Sequence, residues 1–146
     1  MNALRRFHRR LSGDRAGAAA VEFALAGPLV IMLIMAVLQV GMAMQSYNAI
    51  RNVAADTARF AVVQYQRGAS PEVGAIEAQA RTIATGGAYL LKSDAFTARV
   101  EDAAAQRVDG ARELTLTVSY TVPAILPFTD WTAVSIDFSR PIFVLA

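Results

Sequence analysis

The residues of this chain that could do chemistry gather in one short stretch, Gly17-Ala18-Ala19-Ala20-Val21-Glu22-Phe23. A glycine followed by small residues gives an accessible, extended backbone that a peptidase can hold. Cutting after Gly17 would create an α-amine on Ala18 and leave Glu22 as the fifth residue of the new chain. Amine and carboxylate would then stand one helical turn apart, free to pair within a helix or with a neighbouring subunit. A carboxylate in the bilayer interior costs about 2.5–3.5 kcal/mol on insertion scales, so one kept there has a partner. At headgroup depth the same side chain costs little, and Glu22 alone does not decide between the two settings.

Other chemistries lack their parts. The chain has 146 residues and no cysteine, which removes disulfides and thiolate metal sites. Its one histidine, His8, cannot supply a metal cluster or a Ser–His machine. Glu101, Asp102, Asp109, Asp130 and Asp137 show no dyad or ligand spacing, and Gly86-Gly87 lacks the lysine of a phosphate loop. No enzyme, cofactor, metal or small-molecule substrate is expected.

The net charge of +2 is unevenly placed. Residues 1–17 hold Arg5, Arg6, Arg9, Arg10 and Arg15 against Asp14, a balance of +4, and the remainder carries −2. No basic face with interleaved aromatics follows the arginines, so nucleic acid is not an expected partner. From Phe23 to Ile50 no residue is formally charged, and Phe23–Met44 is almost wholly apolar. About 20 such residues cross a bilayer core as a helix, and the run is too long for a secretory signal. Arginines ahead of the span put residues 1–17 in the cytoplasm and the C-terminal body across the membrane. Gly27 and Pro28 sit near the start of the span, where proline removes a backbone donor. A kink or a partly melted turn is expected there, although proline is also simply commoner in membrane helices.

A short basic leader ending in glycine, then small residues, then a glutamate opening an apolar helix resembles a prepilin signal. More narrowly, Gly17-Ala-Ala-Ala-Val-Glu-Phe-Ala-Leu-Ala-Gly-Pro-Leu29 is similar to the N-terminus of TadE-like pseudopilins, minor subunits of the tight-adherence (Tad/Flp) type IV pilus system. The resemblance implies that a membrane-embedded aspartic prepilin peptidase cuts between Gly17 and Ala18. It implies that Glu22, with Phe23 and Pro28, serves subunit docking and recognition. It also implies three parts: leader 1–17, transmembrane and assembly helix 18–44, and a pilin-like periplasmic domain 45–146. Partners would be the peptidase, other pilin or pseudopilin subunits, Tad inner-membrane assembly proteins and lipid. Many type IV pilins begin with phenylalanine where this chain would begin with Ala18, which leaves methylation of the new amine open. The competing expectation is an unprocessed single-span inner-membrane protein with a periplasmic protein-interaction domain.

The elements that must position these residues follow from periodicity. Ile50, Val53, Ala54, Thr57, Ala58, Ala61, Val62 and Tyr65 repeat at three and four, so the apolar helix continues as an amphipathic one to about residue 66. Gly68-Ala-Ser-Pro71 breaks it; Ser70 can cap and Pro71 can open a second helix that ends at Gly86-Gly87. After Lys92 the period becomes two. Phe96–Val100, Leu114–Val122 and Val134–Phe138 read as strands, the central one ended by Pro123 and Pro127. A two-residue Asp109-Gly110 turn would put the first two apolar sets on opposite faces, so a three-residue loop or a bulge is predicted. Pro141 suits an edge position. Phe128, Trp131 and Ile142–Ala146 could form an assembly surface, join the core or fray. The fold class predicted is α+β: a long N-terminal helix, a short second helix and a three-stranded antiparallel sheet.

Overall fold

A computed structural model of the chain describes residues 15–125 and 134–145. The architecture is α+β, with helices α1 (Arg15–Gln66) and α2 (Val73–Thr85) ahead of strands β1 (Phe96–Asp102), β2 (Ala111–Val122) and β3 (Val134–Leu145). The strands form one antiparallel sheet in the order β1-β2-β3. The chain divides into two compact units, one ending at Leu38 and the other beginning at Gln39.

In the second unit, period and packing agree. Ile50, Val53, Ala54, Ala58 and Ala61 of α1 are buried with Leu114, Leu116, Val118, Tyr120 and Val122 of β2. Val62 and Tyr65 of the same stripe are partly buried against that core. Three alanines on the buried stripe leave room for the sheet's β-branched and aromatic side chains. Ile76, Ala80 and Ala84 of α2 complete the core with Phe96 and Val100 of β1. Ile83 of α2 is only partly buried against it.

The register keeps one face apolar. Phe96 pairs with Tyr120 and Val100 with Leu116, so the apolar sets of β1 and β2 share a face as the parity argument requires. The connection differs from the predicted three-residue loop: it has eight residues, Ala103–Gly110. Asp109-Gly110 does turn the chain, with Gly110 at φ 77° and the Ala111 N–H donating to Val108 O at 3.3 Å. The preceding residues instead fold back over Glu113, whose carboxylate needs partners.

The structure decides three further points. No residue of α1 leaves the helix around Pro28, so no turn melts there. Ser70 and Pro71 lie outside α2; Glu72 is the N-cap, with no side-chain capping bond, and its carbonyl accepts from the Ala75 and Ile76 N–H groups. The C-terminal segment is strand: Ile142 and Val144 are 2% and 3% exposed and belong to the core, while Phe143 stays 40% exposed. Their alternation follows from the period of two, which carries β3 through Pro141 opposite Thr115 on the sheet's edge. Pro127, Phe128, Trp131 and Ala146 lie outside the described residues.

Candidate processing and anchoring site

Gly17, Ala18, Glu22, Phe23 and Pro28 all lie on α1, and each is exposed. The expected extended backbone at the Gly17–Ala18 bond is replaced by helix. Ala16, Ala18, Ala19 and Ala20 are the strongest helix formers available, and they carry the helix through the glycine. Gly17 is the weak point of that turn, because glycine costs about 1 kcal/mol relative to alanine in a helix. Nothing approaches within 4 Å of where a Gly17 side chain would begin, so the bond is sterically open. Ala18 and Glu22 are four residues apart on one helical face, the spacing at which side chains meet. Arg5, Arg6, Arg9 and Arg10 lie outside the described residues; Arg15 is the first residue of α1.

The first unit shows its apolar side chains on every face of the helix. Phe23 is 79% exposed, and Leu25, Leu29, Val30, Ile31, Leu33, Ile34, Val37 and Leu38 are exposed with it. This helix, apolar all round and uncovered among the described residues, is long and apolar enough to cross a membrane.

Gln39 ends this stretch, and periodicity alone does not single it out. It is 5% exposed, the one deeply buried side chain in the run Phe23–Met44. Its Nε2 donates to Pro123 O at 3.1 Å, and its Oε1 accepts from the Ile125 N–H at 2.8 Å. One amide thereby serves a donor and an acceptor of the segment leaving β2, which also fixes its orientation. The signal for it in the sequence is a lone amide beside leucine and valine. Replacing it with an apolar residue would strand two backbone groups at about 1–3 kcal/mol each.

A second polar cluster closes the β1–β2 connection. The Glu113 side chain is 4% exposed, yet it accepts from Arg107 Nε at 2.9 and 3.1 Å and pairs with Arg107 Nη2. Gln106 adds an Oε1 acceptor for the Glu113 N–H and an Nε2 donor to its carbonyl. The Arg107 guanidinium holds the Glu113 carboxyl below the usual carboxylate range, against the opposing effect of desolvation. Nearby, Arg112 pairs with Asp102 at 2.8 and 3.1 Å and lowers that carboxyl too. Two of the acids that lack ligand or dyad spacing thus have ion-pair partners on the β1–β2 hairpin: Asp102 pairs with Arg112, and Glu101 stands 3.6 Å from Arg99.

Residues 17–59 match the family described as TadE-like protein. Over that stretch the chain is similar to TadE-like proteins. The TadE-like segment begins at Gly17 and takes in Glu22, Pro28, Gln39 and the first turns of the buried stripe, and it includes none of α2 or the sheet. No curated protein and no solved structure matches the chain. The TadE-like match and the apolar helix together fit a membrane protein associated with Tad pili.

Proposed function

We propose that this chain is a minor pilin, or pseudopilin, cut after Gly17 by a prepilin peptidase and used in building a Tad-type adhesive pilus. The observation that carries the reading is the coincidence of two boundaries. The TadE-like match begins at Gly17, and the carboxylate of Glu22 stands exposed one turn beyond the bond that would be cut. Cutting there leaves Ala18–Leu38 ahead of the folded unit, and its 21 residues make about 32 Å of helix, the thickness of a bilayer core.

Because the Gly17 turn is helical, the peptidase must unwind the backbone locally to reach the carbonyl. Glycine with its neighbours at a helix end opens cheaply. The new Ala18 amine then faces Glu22 in cis or meets the Glu22 of a neighbouring subunit. In apolar surroundings that pair is the polar contact by which one anchor helix registers against another. The role is structural, with no reaction and no cofactor; the partners are the peptidase, other pilin-type subunits, the Tad inner-membrane assembly proteins and lipid.

Intact mass of the membrane-purified protein, expressed with its own peptidase, tests the reading. The expected mass is that of Ala18–Ala146, shifting to the full chain in Gly17→Leu. A wild-type chain that keeps its leader rules the reading out and leaves an unprocessed bitopic protein.

A further inference from the structure

The apolar surface of α1 does not end at Leu38. Val40 and Met44 are 60% and 64% exposed, and with Tyr47 they form a stripe at spacings of four and three that no described element covers. Phe23–Met44 has 22 residues and makes about 33 Å of helix, which also matches a bilayer core. Hydrocarbon that covers Val40 and Met44 as well ends just before Tyr47. There the character of the surface changes. The Tyr47 ring meets Phe138 of β3 edge-on, with 6.4 Å between centroids, and the Arg51 guanidinium lies 5.7 Å from the Tyr47 centroid and 5.8 Å from that of Phe138. Side chains on a helix lean toward its N-terminus. Arg51, the first charged residue after the apolar run, therefore carries its charge back one turn to the level of Tyr47. That level is about 5 Å beyond Met44, within the roughly 5–7 Å that headgroups occupy on each side of the core.

Beside the two rings an open pocket of about 330 Å³ is lined by Asn48, Arg51, Asn52 and Ala55 of α1 and by Phe138 and Arg140 of β3. The four helix residues share one face, so two guanidinium groups and two amides converge there. No acid lines the pocket, and among the described residues neither Arg51 nor Arg140 has an ion-pair partner. The acids nearest to them in sequence are turned elsewhere. Asp56 accepts from Tyr89 Oη at 2.9 Å, and Asp137 alternates to the opposite face of β3 from Phe138. Stacking occupies the face of the Arg51 guanidinium and leaves its N–H edge free, the edge that grips a phosphate with two hydrogen bonds.

We infer that this pocket holds the headgroup phosphate of an anionic phospholipid whose acyl chains lie along Val40 and Met44. Pocket and stripe form one site: an apolar surface continuous with the span, then cationic and amide donors at headgroup depth. A free phosphate would satisfy the arginines and leave the stripe bare, whereas a lipid uses both. The inference rests on the membrane anchor of the pilin reading, and the cut after Gly17 is no part of it.

Protein expressed with its own peptidase, purified in mild detergent with equal phosphatidylglycerol and phosphatidylcholine, is weighed by native mass spectrometry with its bound lipid. Phosphatidylglycerol is expected to be retained in preference, and Arg51→Gln with Arg140→Gln to lower its occupancy about tenfold. Arg67→Gln with Arg99→Gln removes the same charge elsewhere and is expected to leave occupancy unchanged. Equal loss in the two double variants, no preference for phosphatidylglycerol, or full displacement by excess inorganic phosphate overturns the site. Depth is read separately, and the chain lacks cysteine, so introduced thiols report without background. In nanodiscs of the same two lipids, where both faces are reachable, Met44→Cys is expected to react with a membrane-impermeant maleimide about tenfold more slowly than Leu90→Cys, because lipid keeps its thiol protonated. Equal rates put Met44 in water and overturn the site as well. Intact mass on the same samples separates the two failures. A cut chain without retained lipid loses only this site, and an uncut chain that keeps lipid through Arg51 and Arg140 loses only the pilin reading.

Discussion

Glu22 and Thr57 are both polar residues on apolar helix faces, and their surroundings give them opposite meanings. Glu22 is exposed one helical turn from Ala18, whose amine the proposed cut would free as a partner for its charge. Glu22→Leu suits lipid better, so insertion and cleavage are expected to persist. What it removes is a charge-assisted contact of about 1.5–3 kcal/mol, enough to weaken subunit docking ten- to a hundredfold. Counting pili in the variant checks this, and normal piliation removes Glu22 from the mechanism. Thr57 is fully buried in the helix–sheet core, and its Oγ1 has no hydrogen-bond partner among the described residues. Thr57→Val keeps the shape and deletes the stranded hydroxyl, with an expected gain of about 1 kcal/mol read as a rise of several degrees in Tm. A fall in Tm would mean that the hydroxyl has a partner. Glu22 is legible in the sequence because it stands alone in apolar company. Thr57 is legible only as a member of the stripe, since satisfaction of a hydroxyl depends on which groups the sheet brings near.

At the scale of elements, periodicity specifies the helices and strands, and polar contacts decide their ends. The stripe from Ile50 to Tyr65 and the alternation from Leu114 to Val122 are both visible in the sequence, because each repeats one physical demand over several turns or pleats. The eight-residue β1–β2 connection is not, because its length follows from Glu113. That carboxylate faces away from the core side of β2, next to Leu114 which faces into it, and Ala103–Gly110 supplies Arg107 and Gln106 to cover it. The arrangement makes a pH prediction with a definite sign. Glu113 and Asp102 both titrate below their ordinary values in the folded chain, so their contribution is complete above the unfolded pKa of about 4. It is lost as pH falls through the depressed folded values. Thermal melts from pH 7 to pH 3 should show Tm declining below about pH 4. Glu113→Gln should be less stable than wild type at pH 7 and approach it at pH 3, because acid removes from the wild type the charge that the variant already lacks. A constant difference between the two would assign Glu113 a role independent of its charge. Gln39 is the other element-scale device: one side chain fixes where the chain leaving β2 returns to α1.

For the whole molecule, the opening balance of +2 separates into a leader of +4 and a remainder of −2. With cleavage after Gly17 the basic part is lost, and the mature side chains are mildly acidic, so the sequence pI of about 9.4 belongs to the precursor. On the proposed reading basicity is therefore an instruction for insertion. Positive residues stay on the cytoplasmic side of a span, and charges close to its end count most. On that reading the folded unit lies across the membrane, where Leu90, the most exposed large apolar residue among the described residues of that unit, becomes a convenient reporter. In intact cells with a permeabilised outer membrane, Leu90→Cys should react with a membrane-impermeant maleimide as fully as after lysis. Replacing Arg5, Arg6, Arg9, Arg10 and Arg15 with glutamine should reduce that labelling severalfold, since the remaining bias comes only from charges after the span such as Arg51 and Arg59. Labelling of the parent variant only after lysis would place the folded unit in the cytoplasm. It would also remove the leader's arginines as the topological signal and put the Gly17–Ala18 bond on the wrong face for a cytoplasmic cut.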